Sequence, residues 1–146
     1  MLSYTDPAVT VAEADAYATA RAWANWTGND TVKTAALRRG QDYIAGAYNG
    51  RWATEWDNDA APEPVRFAII EAARRELVTP GSLSPDYVAS KVITKERKKV
   101  GPLEKDIQYA EATGASSVRP DIAIIEQLLD GLITSGFGAT VAAYRV

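Results

Sequence analysis

Lys95, Arg97, Lys98 and Lys99 stand just before Gly101-Pro102, and Glu104, Lys105 and Asp106 follow it, in the stretch KERKKVGPLEKD. Such a cluster can neutralise the phosphates of a nucleic acid, pair with its own acids, or meet an oppositely charged neighbour. If Gly101-Pro102 turns the chain tightly, Lys99 faces Glu104 and Arg97 faces Asp106 as opposite-charge cross-strand pairs. Self-pairing and solvation outweigh a phosphate contact, because a charge run is usually just a solvated face. Val100, Leu103, Ile107 and Tyr109 would form an apolar strip on the other face, interrupted by Lys98 and Lys105. A two-stranded hairpin is marginal alone, so this one needs a surface to lean on.

Two other groups of residues invite a chemical reading. Trp23, Trp26, Trp52 and Trp56, with Tyr43 and Tyr48, could stack unpaired bases, but stacking platforms sit in basic grooves and Glu55, Asp57 and Asp59 surround half of these rings. Core and interface packing is the stronger reading. Asp57, Asp59 and Glu63 could hold a hard cation, yet their spacing lacks the glycine and the terminal glutamate of a calcium loop. The chain contains neither His nor Cys, which removes disulfides, thiol nucleophiles, the usual zinc ligands and the commonest general base near neutral pH. No nucleophile elbow and no phosphate-binding glycine loop is present, so no enzyme, cofactor or metal is expected. A net charge of -3 and a pI near 5.0 exclude a protein whose whole surface grips nucleic acid.

The elements that must position these residues are mostly helical. With 146 residues, 47% of them hydrophobic, one ordinary domain is expected. No run is long and apolar enough for a membrane span, and the N-terminus lacks a signal peptide's basic-then-apolar order. Thr10 and Glu13 have the spacing of a capping box, which predicts a helix over about 11–23. Ala36, Leu37, Gly40, Tyr43, Ile44, Ala47 and Tyr48 recur at helical spacing from Thr31 until Asn49-Gly50 stops them. Residues 51–62 read as an ordered loop whose Trp rings cover the core edge.

Pro62 and Pro64 open a third helix, with Val65, Ile69, Ala72, Ala73 and Leu77 on one face and Glu71 and Arg75 as an i,i+4 pair. Pro120 starts a fourth, with Ile122, Ile125, Leu128, Leu129 and Leu132 as its stripe and Gly136 or Gly138 as its stop. The expected buried set is Leu37, Tyr43, Ile44, Ile69, Leu77, Ile125, Leu128 and Leu132. The fold class is mainly α: a small bundle of about four helices over 1–136, with one β-hairpin near 92–109 and an extended C-terminal tail, 137–146. The tail carries Phe137, Val141, Tyr144, Arg145 and Val146. It either folds back on the bundle or leaves it as an arm that docks on a neighbour.

Five segments in order carry a family resemblance: VAEADAYATAR (11–21), KTAALRRGQDYIAGAYNGRW (33–52), PEPVRFAIIEAARREL (62–77), KVITKERKKVGPLEKDIQYA (91–110) and RPDIAIIEQLLDGL (119–132). Together they resemble the head-tail connector, or adaptor, proteins of long-tailed bacteriophages, a family often labelled DnaT-like single-stranded-DNA-binding proteins. The short 53–61 loop departs from relatives that carry a longer insertion there. The resemblance implies a structural, non-enzymatic protein that forms a ring, dodecameric, beneath the portal protein of the virion. The ring would extend the channel for double-stranded DNA and present a surface to the next neck protein, a stopper or tail terminator. Assembly in the host cytoplasm and residence in the head-tail neck follow from the same resemblance, with no membrane involved. Under it, Lys95, Arg97, Lys98, Lys99 and Lys105 face DNA or a neighbouring subunit, and Phe137, Val141, Tyr144, Arg145 and Val146 dock on the portal or a neighbour. The alternative function is a single-stranded-DNA-binding accessory protein, which needs Tyr48, Trp52 or Trp56 exposed beside the basic cluster.

Overall fold

The computed structural model describes residues 1–86 and 120–134, and the backbone alone of Lys95–Val100 and Leu103–Gln108. The chain divides into two compact units, one of Met1–Leu83 with the chain from Asp121 onward, the other of Ser84–Pro120. In the first, helix α1 (Val11–Ala20) starts at the capping box, in which Thr10 accepts from the Glu13 amide and Glu13 reaches back to the Thr10 amide. Helix α2 (Asp30–Tyr48) starts where the Asn29 side chain accepts from the Val32 amide. Pro62 and Pro64 flank the first residue of α3 (Glu63–Val78), where a missing amide costs nothing, and Arg75 lies in its last turn, where a cation suits the helix dipole. A short 3₁₀ turn, Asn58–Ala60, precedes α3, and helix α4 (Ala123–Leu129) closes the described bundle.

Helices α2 and α3 form the principal pair, α4 packs on α3, and α1 lies against both α2 and α3. Gly40 is the reason α2 and α3 can approach closely. A β-carbon there would lie 2.7 Å from the Ala73 nitrogen and from the Ile69 carbonyl oxygen. Ile44, Val65, Ile69, Ile70, Ile125 and Leu129 fill the centre, and Leu2 and Leu83 plug it from outside the helices.

Four members of the expected buried set, Leu37, Ile44, Ile69 and Ile125, lie in this core, while Tyr43, Leu77, Leu128 and Leu132 are only partly buried against it. For Leu132 the reason lies in the length of α4. It spans seven residues rather than running on to Gly136, and Gly131 at φ +83° turns the chain directly after it. Leu132 therefore leaves the helical stripe. Its carbonyl accepts from the Ala53 amide at 2.9 Å, beside a bridge between Trp52 and Ile133. Leu129, rather than Leu128, becomes the fully buried anchor. Helix α1 likewise stops at Ala20, because Ala22 at φ +52° lets the Trp23 amide bond back to Ala18.

In the second unit, strands β1 (Lys95–Val100) and β2 (Leu103–Gln108) run antiparallel, with Arg97 opposite Asp106 and Lys99 opposite Glu104. This pairing lends nothing to the fold class, which rests on the four helices. The turn at Gly101-Pro102 and the remainder of the 92–109 region lie outside the described residues. So does the tail, 137–146.

Candidate functional site

The region richest in polar and aromatic contacts is built from the N-terminal segment, α2 and the loop before α3. Three side-chain amides hold the N-terminal segment down. Gln41, buried on α2, donates from Nε2 to the carbonyls of Ser3 and Asp6 at 2.7 and 2.8 Å and accepts on Oε1 from the Ala8 amide at 2.8 Å. Asn49 accepts from the Leu2 amide and donates to the Leu2 carbonyl, both at 2.9 Å, and Asn58 accepts from the Ser3 amide at 2.8 Å. A glutamine in an otherwise apolar α2 stripe was the one sequence signal of this clamp.

The aromatic rings are occupied within the fold. Trp26 is buried and donates its indole N–H to Asp15 at 2.8 Å, and Lys33 Nζ donates to the same carboxylate at 2.9 Å. Those two bonds hold the Asp15 carboxyl below the usual carboxylate range, the Lys33 contact contributing most. Trp52 donates to Asn49 at 3.0 Å, its ring centroid 5.0 Å from Trp56 and 6.1 Å from Tyr48. Tyr48 is buried and both Trp rings are partly buried against the core. Tyr17 donates to the buried Glu71 at 2.9 Å; burial first, then this bond, pushes its phenol up to about 12.

The cations are distributed with equal economy. Lys33 pairs with Asp15, Arg38 with Asp42, Arg39 with Glu76, Arg66 with Glu13 and Arg75 with Glu71, at 2.7–3.2 Å. Buried Glu76 also accepts from the amides of Gly81 and Leu83, which fixes the turn after α3. Arg21, Arg51 and Arg74 have no carboxylate partner among the described residues and lie over the rings of Tyr17, Tyr48 and Trp23, the first at 3.4 Å and the last at 4.3 Å. The unit of Met1–Leu83 and Asp121–Val146 contains nine basic and fourteen acidic residues, a net charge of -5; Ser84–Pro120 contains seven and five, a net charge of +2.

Of the residues singled out in the sequence, Lys95, Arg97, Lys98 and Lys99 lie on β1 and Lys105 on β2, where Lys98 is opposite Lys105 and Lys95 opposite Gln108. Their side chains, and Phe137, Val141, Tyr144, Arg145 and Val146, lie outside the described residues. Among the described residues no group of three or more acidic side chains is placed to hold a metal ion, and no helix is long and apolar enough to cross a membrane. Asp57, Asp59 and Glu63 therefore do not converge.

Comparison with known proteins adds one relationship. No curated protein and no solved structure matches the chain. Residues 3–57, which contain the clamped N-terminal segment, α1, α2 and the Trp52–Trp56 pair, are similar to the family described as "Putative DnaT-like ssDNA binding protein".

Proposed function

We propose that this protein is a structural head-tail adaptor of a tailed phage or phage-like particle, a ring subunit seated beneath the portal rather than an enzyme. The observation that carries the reading is the internal use of the groups a nucleic-acid platform would present. In the segment similar to the single-stranded-DNA-binding family, Trp26 is spent on Asp15 and Trp52 on Asn49, and Tyr48 is buried. The cations of that segment pair with carboxylates or lie over tyrosine rings. Sequence-tolerant binding of single strands needs exposed rings along a basic groove, and a unit of net charge -5 opposes it. A ring subunit needs instead a rigid body with two complementary side faces, and weak affinity for the DNA that slides past it. The resemblance of the five ordered segments to phage head-tail adaptors supports a place in the neck of such a particle.

Single-stranded-DNA binding is the second reading, and the description of the family similar to residues 3–57 favours it. On that reading contact is confined to the Ser84–Pro120 unit, with its net charge of +2 and Lys95, Arg97, Lys98, Lys99 and Lys105.

The deciding experiment mixes the purified protein with DNA-filled, tail-less, portal-bearing heads, and separately titrates it with an oligothymidylate at low and high salt. Co-sedimentation with heads in ring stoichiometry, with little change in Trp fluorescence, is expected. No attachment to heads together with tight, salt-steep quenching would transfer the function to the second reading.

A further inference from the structure

Arg74 is the one half-buried cation of the described helical unit that no carboxylate answers; Lys33, Arg38, Arg39, Arg66 and Arg75 each have one within 4.0 Å. Its guanidinium lies 4.3 Å above the Trp23 ring, and Nε donates to Asn25 Oδ1 at 2.9 Å. That arrangement fixes the planar group in one orientation and leaves its terminal nitrogens for an acceptor from outside. It borders a shallow notch of about 360 Å³ lined by Asn25, Arg74, Arg75, Val78, Thr79 and Ser82. The lining contains no carboxylate, and its polar groups are the Asn25 amide, the two guanidinium groups and the hydroxyls of Thr79 and Ser82. A fixed guanidinium with hydroxyls beside it suits a carboxylate, which accepts two parallel N–H bonds.

The source of the carboxylate follows from charge. A polyphosphate backbone laid across this notch would meet a unit of net charge -5, whereas a single side-chain carboxylate feels mainly its immediate surroundings. The same unit exposes Glu55, Asp57, Asp59 and Glu63, none of them in an ion pair among the described residues. Glu63 is the first residue of α3 and Glu55, Asp57 and Asp59 lie in the loop before it, whereas Arg74 and Arg75 lie near the end of this helix of 16 residues, which is roughly 24 Å long. Acids at one end and cations at the other also complement the helix dipole. Asp6, Asp30, Asp121, Glu126 and Asp130 are likewise in no ion pair among the described residues, but Glu55, Asp57 and Asp59 are the three that fall within five residues of one loop.

We infer that the Arg74 notch receives the Glu55–Asp59 loop of a second copy of this chain, making a head-to-tail contact with its negative half at the start of α3 and its positive half at the end. The inference rests on the ring reading above for its biological setting, but not for its test. A contact of this kind leaves both halves open on the outer copies and so propagates until it closes.

The test uses the full-length protein at millimolar concentration and low salt, without heads. Arg74→Lys keeps the charge and supplies an amine that a zero-length carbodiimide can join to a carboxylate. The expected product is an intermolecular amide between residue 74 of one copy and Glu55, Asp57 or Asp59 of another, identified by mass spectrometry. Charge exchange is the second arm. Arg74→Glu should weaken self-association in sedimentation by at least about tenfold, and mixing it with Asp57→Arg should recover a heterodimer. Absence of the cross-link, or indifference of sedimentation to Arg74→Glu, overturns the inference. Loss of oligothymidylate binding on Arg74→Glu, with self-association unchanged, would assign the notch to nucleic acid instead. Head attachment that persists in Arg74→Glu removes only this contact; failure of the wild type to attach removes the adaptor reading whatever the cross-link shows.

Discussion

Replacing Gly40 by Ala and, separately, Gly46 by Ala should shift stability in opposite directions, although both glycines belong to α2. In a helix interior, glycine costs roughly 0.8–1 kcal/mol relative to alanine, so either substitution gains about that much before packing is considered. At Gly46 nothing lies within 4 Å of the new β-carbon, and the gain should survive as about 0.5–1 kcal/mol. At Gly40 the β-carbon would meet the Ala73 nitrogen and the Ile69 oxygen at 2.7 Å and the Ala73 Cα at 3.1 Å. These are backbone atoms of a helix and cannot rotate aside, so α2 and α3 must separate by several tenths of an ångström. A gap of that size forfeits a quarter or more of the dispersion energy along the seam, and overpacking of this kind typically costs about 1–3 kcal/mol. Because the overlaps are with helix backbone, the cost falls in the upper part of that range, about 2–3 kcal/mol, and after the propensity gain leaves Gly40→Ala about 1–2 kcal/mol less stable than the wild type. Urea unfolding followed by circular dichroism at 222 nm and by Trp fluorescence reads both variants. A Gly40→Ala protein as stable as the wild type, or two variants moving the same way, would refute the close crossing of α2 and α3.

Other expectations follow from single contacts. Leu129→Ala should cost about 2–5 kcal/mol and Leu128→Ala clearly less, because only Leu129 is fully buried; chemical unfolding that reverses the order contradicts the placement of α4. Gln41→Leu strands the Ala8 amide and leaves the Ser3 and Asp6 carbonyls only their bonds from Arg38 and Asn58, which should cost about 1–3 kcal/mol and speed amide exchange over residues 2–8. Unchanged exchange there would mean that Asn49 and Asn58 suffice as the clamp. The Tyr17 phenol, at 10.0 unperturbed and pushed up to about 12 in the fold, favours its protonated form, so its stabilisation is complete below about pH 10 and is lost as the pH rises through 12. The advantage of the wild type over Tyr17→Phe in unfolding free energy should therefore shrink between pH 9.5 and 12, about the range set by that shift; a constant gap would disconnect the shift from stability.

Local signals carried the helices. The Thr10–Glu13 capping box, the Asn49-Gly50 stop, Pro62 with Pro64, and the Glu71–Arg75 pair are interactions within a few residues of one another, and each appears in the structure where its spacing placed it. Composition likewise set what chemistry the chain lacks, since no fold creates a histidine or a cysteine. Contacts over long sequence separations were not legible in this way. Periodicity put Gly40 on the inner face of α2, but only the position of α3 makes it a close-approach point. It put Leu128 and Leu129 together in one stripe, and the packing of α4 on α3 decided between them. The amide clamp of Gln41, Asn49 and Asn58 joins residues 33 to 55 positions from their partners, and the aromatic and charged pairings of Trp23, Trp26, Arg39 and Arg74 span 11 to 51 positions. A side chain's type fixes what it can bond, but tertiary packing decides which of many possible partners it meets, and that choice left Arg74 without a carboxylate of its own.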